Sequence, residues 1–237
     1  MARKPPPPPD IHQAAPSAPS GGSKPPRERV IDAFMDLLGE KSFEEIGFSD
    51  IANRAGVSLA ELRGLFGSSL AILAAQVREI DRQVLAGADP DIAEDPPRER
   101  LFDVLMRRIE LLASHKAALR SLARSAPRNP GLALALNQLA VRSQQWMLTA
   151  ADIAAAGPRG QLRAQGMAVL FGSVLRTWID DDDPGLARTM AALDRALARG
   201  QRWSGFLDNI LRIPARLCGQ SRRRRPDEAE EADSLTA

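Results

Sequence analysis

The segment from Phe48 to Phe66, FSDIANRAGVSLAELRGLF, admits few folds. Ser49 is a favourable helix N-cap, and Ile51 with Ala52 opens an apolar face. Ala52 is small where a second helix has to cross closely. Gly56 supplies the positive-φ residue that a tight turn between two helices requires. Val57 plugs that turn, Ser58 caps the next helix, and Leu62, Leu65 and Phe66 return apolar side chains at helical spacing. The pattern predicts a helix-turn-helix.

The remainder reads as helical too. Apolar residues make up 44% of the 237, enough for a real core, and Leu and Ala dominate with Tyr absent. Leu/Ala richness with few β-branched runs predicts an all-α protein. Cys218 is the single cysteine, which excludes an internal disulfide framework and fits a reducing compartment. No apolar run approaches the roughly 20 residues of a membrane span. The start of the chain is Pro-rich where an export signal would be apolar, so a cytoplasmic protein is expected.

Four regions follow from composition. Residues 1–25, with Pro5 to Pro9 and an Ala/Pro/Ser/Gly stretch, have little to bury and read as a disordered arm. Residues 26–87 form a head: a helix from about Pro26 to Gly39, a loop from Lys41 to Gly47 anchored by Phe43 and Ile46, the helix-turn-helix, and a helix from Ser68 to about Ala86. Gly87 to Pro97, with prolines and acids, marks the boundary to a helical body over 88–218. Body helices are expected over Pro97–Ser114, Lys116–Ser125, Pro130–Ala156, Gly160–Ile179 and from Pro184 to near Gly200. A last amphipathic stretch, Arg202 to Leu217, is interrupted by Pro214, and residues 219–237 read as a disordered charged tail.

Charge distribution says more than the net charge of +2. From Lys24 to Leu85 there are eight Lys and Arg against ten Asp and Glu, a net of −2. The basic residues lie mostly at its margin or beyond, at Arg3, Lys4, Lys24, Arg27, Arg29 and Arg222 to Arg225. No Gly-rich phosphate loop, paired-carboxylate spacing or nucleophile motif is present, so neither an enzyme nor a bound cofactor is expected. His115 has no spaced partner for a metal. Asp180 to Asp183 precede Pro184, where Asp residues cap a helix start more readily than they hold a cation.

A short helix, this helix-turn-helix, a linking helix and a helical body together resemble the TetR family of transcriptional regulators. The likeness is carried by AFMDLLGEKSFEEIGFSDIANRAGVSLAELRGLFGSSLAIL, within about Arg27 to Leu73, and beyond it by architecture alone. It implies a homodimer whose two heads read a double-stranded DNA operator, repressing transcription until a small molecule enters the body. It places the DNA-contacting set at Ser49, Asn53, Arg54, Ser58, Leu59, Ala60, Glu61, Arg63, Gly64, Ser68 and Ser69. The chain departs from the family pattern in having Arg63, Gly64 and Leu65 where aromatic, His and aromatic residues are usual, and Ser69 where a phosphate-binding Lys is common. Glu61 would be repelled by phosphate unless it accepts from a cytosine amino group.

In the body, Met106, Trp146, Met147, Met167, Phe171 and Trp178 are large side chains that fit either plain core or the lining of an apolar ligand pocket. Leu170, Val174, Leu186, Met190, Leu193 and Leu197 offer faces suited to a four-helix contact between two copies. The departures leave a second resemblance open, to TetR-fold ubiquinone-biosynthesis accessory proteins that hold lipid without binding DNA. The stripe Trp203, Phe206, Leu207, Ile210 and Leu211, beside Arg202, Arg212 and Arg216, would then meet a membrane.

Overall fold

The computed structural model describes residues 24–87 and 94–212, with residues 201–212 as helical backbone only. The described residues form helices α1 (Pro26–Glu40), α2 (Phe48–Ala55), α3 (Leu59–Leu65), α4 (Ser69–Ala86), α5 (Pro97–Leu112), α6 (Lys116–Ser125), α7 (Pro130–Ala150), α8 (Gly157–Ile179) and α9 (Ala187–Arg212). Short 3-10 turns at Phe43–Glu45, Ala113–His115 and Ala126–Arg128 join some of them, and no strand occurs among the described residues. The expected all-α class holds.

The apolar stripe read from α1 is the centre of the head. Val30, Ile31, Phe34, Leu37 and Leu38 are buried against Ile51, Ala52, Leu62, Phe66 and Ile72 of the next three helices and their turns. Phe43 packs edge-on to Phe34 with ring centroids 6.4 Å apart, and Ile46 is buried, so the loop is anchored as expected. This core does not stop at the head. Ala118 and Leu122 of α6 and Leu132 of α7 belong to it, and Ser121 Oγ donates to the Lys41 carbonyl at 2.8 Å. A second core, built on Leu105, Ile109, Met147, Phe171, Trp178 and Leu193, fills the body.

Several helix ends differ from the expectation for identifiable reasons. α7 ends at Ala150 rather than Ala156, because Asp152 adopts φ 57°, the left-handed conformation more often given to Gly or Asn. The Ile153 amide then donates back to the Leu148 carbonyl at 2.8 Å. Gly200 does not end α9, which runs on to Arg212. A Cβ at Gly200 would lie 3.3 Å from Leu170 Cδ1, so the glycine serves close packing on α8. The acids before α9 cap it as expected: Asp181 Oδ2 accepts from Thr189 N at 2.9 Å and Thr189 Oγ1 at 2.6 Å, and Asp183 Oδ2 from Ala187 N at 3.2 Å. The Thr189 hydroxyl and amide hold the Asp181 carboxyl below its usual range.

The arm over 1–23, the boundary residues 88–93, Cys218, the charged tail and the side chains of the Trp203 stripe lie outside the described residues. No described helix is long and apolar enough to cross a membrane.

Candidate nucleic-acid interface

The turn between α2 and α3 is built as the sequence requires. Gly56 sits at φ 63°, ψ 42°, and the Val57 amide donates to the Ala52 carbonyl at 3.0 Å, closing the end of α2. Arg29 of α1 reaches across, its Nη1 donating to the Gly56 carbonyl at 3.3 Å. Arg27 lies over the Phe66 ring, 4.7 Å from its centroid. Two cations at the edge of the head are thereby tied to the helix-turn-helix itself.

Ser49 is not the N-cap of α2. That position is Gly47, whose amide donates to Asp50 Oδ2 at 3.2 Å, and Ser49 is the second residue of the helix and exposed. The sequence signal misleads here because Asp50, at the third helical position, supplies the cap from the other direction. Ser58 does cap α3. Its Oγ accepts from the Glu61 amide at 3.1 Å, while Glu61 Oε2 accepts from Ser58 N at 2.9 Å and Ser58 Oγ at 3.0 Å. The Glu61 carboxyl is held below the usual glutamate range by the Ser58 amide first and the Ser58 hydroxyl second. Ser68 caps α4 in turn, accepting from Ala71 N at 3.1 Å.

The eleven residues expected at DNA differ in their freedom to reach outward. Asn53, Leu59, Ala60, Arg63 and Gly64 are exposed, and Ser69 is half-buried at the first position of α4. Arg54 is bound by both oxygens of Glu40, with N–O distances of 2.9 and 2.8 Å. Ser58 and Ser68 are engaged in caps and Glu61 in its capping box. Arg63 pairs with no carboxylate among the described residues, and its Nη1 lies 3.5 Å from where a Cβ would stand on Gly67. It is the cation on α3 that is free to reach outward.

The same accounting explains how an acidic head can present a usable face. Asp32 is paired with Lys24 at 2.5 Å, Asp50 lies 3.6 Å from Lys41, and Glu44 accepts from Asn129 at 3.0 Å. These carboxylates are thus committed to local contacts.

An all-helical head with α3 set outward behind a left-handed glycine turn, followed by a linking helix and a helical body, can be compared with known structures. A TetR transcriptional regulator from Nitrosomonas europaea superposes with a TM-score of 0.60 at 22% identity, covering 75% of this chain and 99% of that one. The chain has the TetR fold. A TetR-family regulator from Streptomyces coelicolor matches at TM-score 0.53 and 19% identity over 80% of this chain and 86% of that one. A TetR regulator from Rhodococcus sp. RHA1 matches at 0.51 and 21% over 74% and 95%. No protein-family model matches this chain, and no curated protein matches it in sequence. The likeness to the TetR fold is one of architecture, as the low identities show.

Within the TetR fold, the six body residues expected at a ligand divide. Met147, Phe171 and Trp178 are fully packed in the body core, with Met106 and Met167 half-buried against it. Trp146 is 57% exposed on the outer side of α7 and lines no interior space, because Met147 and Gln144 take the inward positions of that turn. A groove of about 640 Å³ lies elsewhere, between α1, α4 and the end of α5, and is lined by Arg27, Glu28, Asp32, Arg78, Glu79 and His115 among others. His115 contacts Gln76 there through its Nε2 at 2.8 Å, and burial lowers its pKa.

The face expected to pair two copies also differs. Val174, Leu193 and Leu197 are buried in the protomer's own core and cannot meet a second copy, while Leu170 and Leu186 are half-buried. On α8 the exposed apolar side chains are instead Leu162 and Val169, 48% and 66% accessible, and they fall on one face with Gly166 and Ser173.

The polar cluster inside the body has almost no signature in the sequence. Asp81 of α4 and Arg108 of α5 form a buried ion pair, Ser143 Oγ of α7 donates to Asp81 Oδ1 at 2.7 Å, and the Phe171 ring lies 6.0 Å from the guanidinium. Its one local signal is an acid within the buried stripe Ile80, Asp81, Val84. The partners come from helices far apart in sequence.

Proposed function

We propose that this protein is a homodimeric, DNA-binding transcriptional repressor whose body responds to a small molecule. The observation that carries the reading is the exposed face of α3, fixed by the Gly56 turn and the Ser58 cap, with Arg63 free to extend from it. In two copies related by a two-fold axis, α3 of each head would enter successive major grooves of a pseudo-palindromic site. The face Leu162, Gly166, Val169 and Ser173 of α8 supplies the contact between copies.

The linking helix α4 joins the two functions. Its first residues pack in the head core, and Ile80, Asp81 and Val84 pack in the body core. A molecule that favoured a different placement of α4 against α5 and α7 would change the spacing of the heads and release DNA. Gln144, whose Oε1 is buried without a partner among the described residues, suits an apolar effector carrying one hydrogen-bond donor. The half-buried Met106 and Met167 are the flexible side chains that would move to admit it. A salt-titrated gel shift on the DNA upstream of the protein's own gene tests this reading. Discrete shifted complexes that weaken steeply with salt are expected.

A further inference from the structure

The outward face of α3 has a composition that restricts what it can read. Leu62, 2% exposed, marks the inward direction of the helix. At roughly 100° per residue, Ala60 and Gly64 then point almost directly away from the core, with Leu59 and Arg63 on one flank and Glu61 on the other. Nothing lies within 4 Å of a Cβ position on Gly64, so this ridge is open and nearly bare. Leu59 is 55% exposed at the first position of the helix, a large apolar side chain held in water. Glu61, the one acid, is turned back onto Ser58.

Hydrogen-bonding base readout from this helix therefore falls to Arg63 alone, beside the short Ala60 and Gly64 and the large, exposed Leu59. In the major groove the single apolar feature of a base edge is the C5-methyl group of thymine, and the fork of an arginine matches guanine O6 and N7. We propose that α3 selects a half-site in which one guanine, read by Arg63, is flanked by thymines whose methyl groups pack on Leu59 and Ala60. The bare ridge at Ala60 and Gly64 lets the helix backbone approach the base edges, which short apolar contacts require. This rests on the DNA-binding reading above and assigns the specificity of that same surface.

The full-length protein is first used to select its preferred duplexes from a random pool. The selected duplex is then remade with deoxyuridine at single thymine positions, which removes only the methyl group. Wild-type protein should bind about fourfold more weakly for each contacted methyl removed, the factor for withdrawing one buried methyl from contact. A Leu59→Ser, Ala60→Ser double variant should bind the two duplexes equally, and Arg63→Ala should relax selection at the guanine alone. Specific binding that is indifferent to every deoxyuridine substitution overturns the methyl readout and leaves the DNA-binding reading standing. Failure to enrich any sequence overturns both.

Discussion

The carboxylate of Glu61 and the backbone and hydroxyl of Ser58 satisfy one another at the start of α3, at 2.9 Å to the amide and 3.0 Å to the Oγ. One pair thus sets the helix and ties back the one carboxylate that α3 carries. Ser58→Ala should cost about 1 kcal/mol, the usual loss for an N-cap serine. The pH response carries a sign. Because the Glu61 carboxyl is held below its ordinary range in the folded state, its contribution is present above that range and lost as pH falls through the lowered value. Thermal melts across the acid limb should show a smaller pH dependence in Ser58→Ala than in the wild type.

Gly56→Val tests the turn. A β-branched residue at φ 63° is strained, and a side chain there would begin 3.3 Å from Arg29 Nη1. The variant should lose about 1–3 kcal/mol in denaturant unfolding. An unchanged midpoint would show that the turn tolerates a different backbone path.

Asp81→Ala strands the Arg108 guanidinium in the body core and should destabilise the protein by about 3–5 kcal/mol. The Asp81→Leu, Arg108→Met double variant should recover most of that loss, since it removes both charges and keeps the volume. Urea midpoints of the three proteins decide the matter. If the double variant is as unstable as the single, the pair is not the source of the loss.

The α8 face makes a prediction about assembly. Val169→Glu places a charge at the most exposed apolar position of the helix without touching the protomer core. Sedimentation at micromolar concentration should show a dimer for the wild type and a monomer for the variant, with melting of the variant still cooperative. A dimer that survives Val169→Glu would move the contact to another surface.

What the sequence revealed of this fold tracks how local the determining interactions are. The Gly56 turn, the Ser58 cap and the α1 stripe were legible because each is fixed within about one or two helical turns. Ser49 looks like a cap in the sequence but is not one, because Asp50 fixes the same helix start from inside it. Gly200 reads as a helix end in the sequence because a glycine that stops a helix and one that admits a neighbouring helix look alike in one dimension. The face expected between two copies differs for a related reason: α8 carries apolar side chains both inward and outward, and only packing shows that Val174, with Leu193 and Leu197 of α9, belongs to the protomer core. Neither the Asp81–Arg108 pair nor the capture of Arg54 by Glu40 could be read in advance, since both depend on which helices become neighbours.

The most direct test of DNA binding through α3 is a titration of labelled operator duplex with wild-type protein and with Arg63→Ala, both checked for equal melting temperature. Arg63 is exposed and unpaired among the described residues, so its loss should leave the fold intact. The wild type should bind the operator well above a scrambled duplex, and the variant should lose about tenfold or more in that preference. Equal affinity of the two proteins, or no preference for operator by the wild type, would contradict the account.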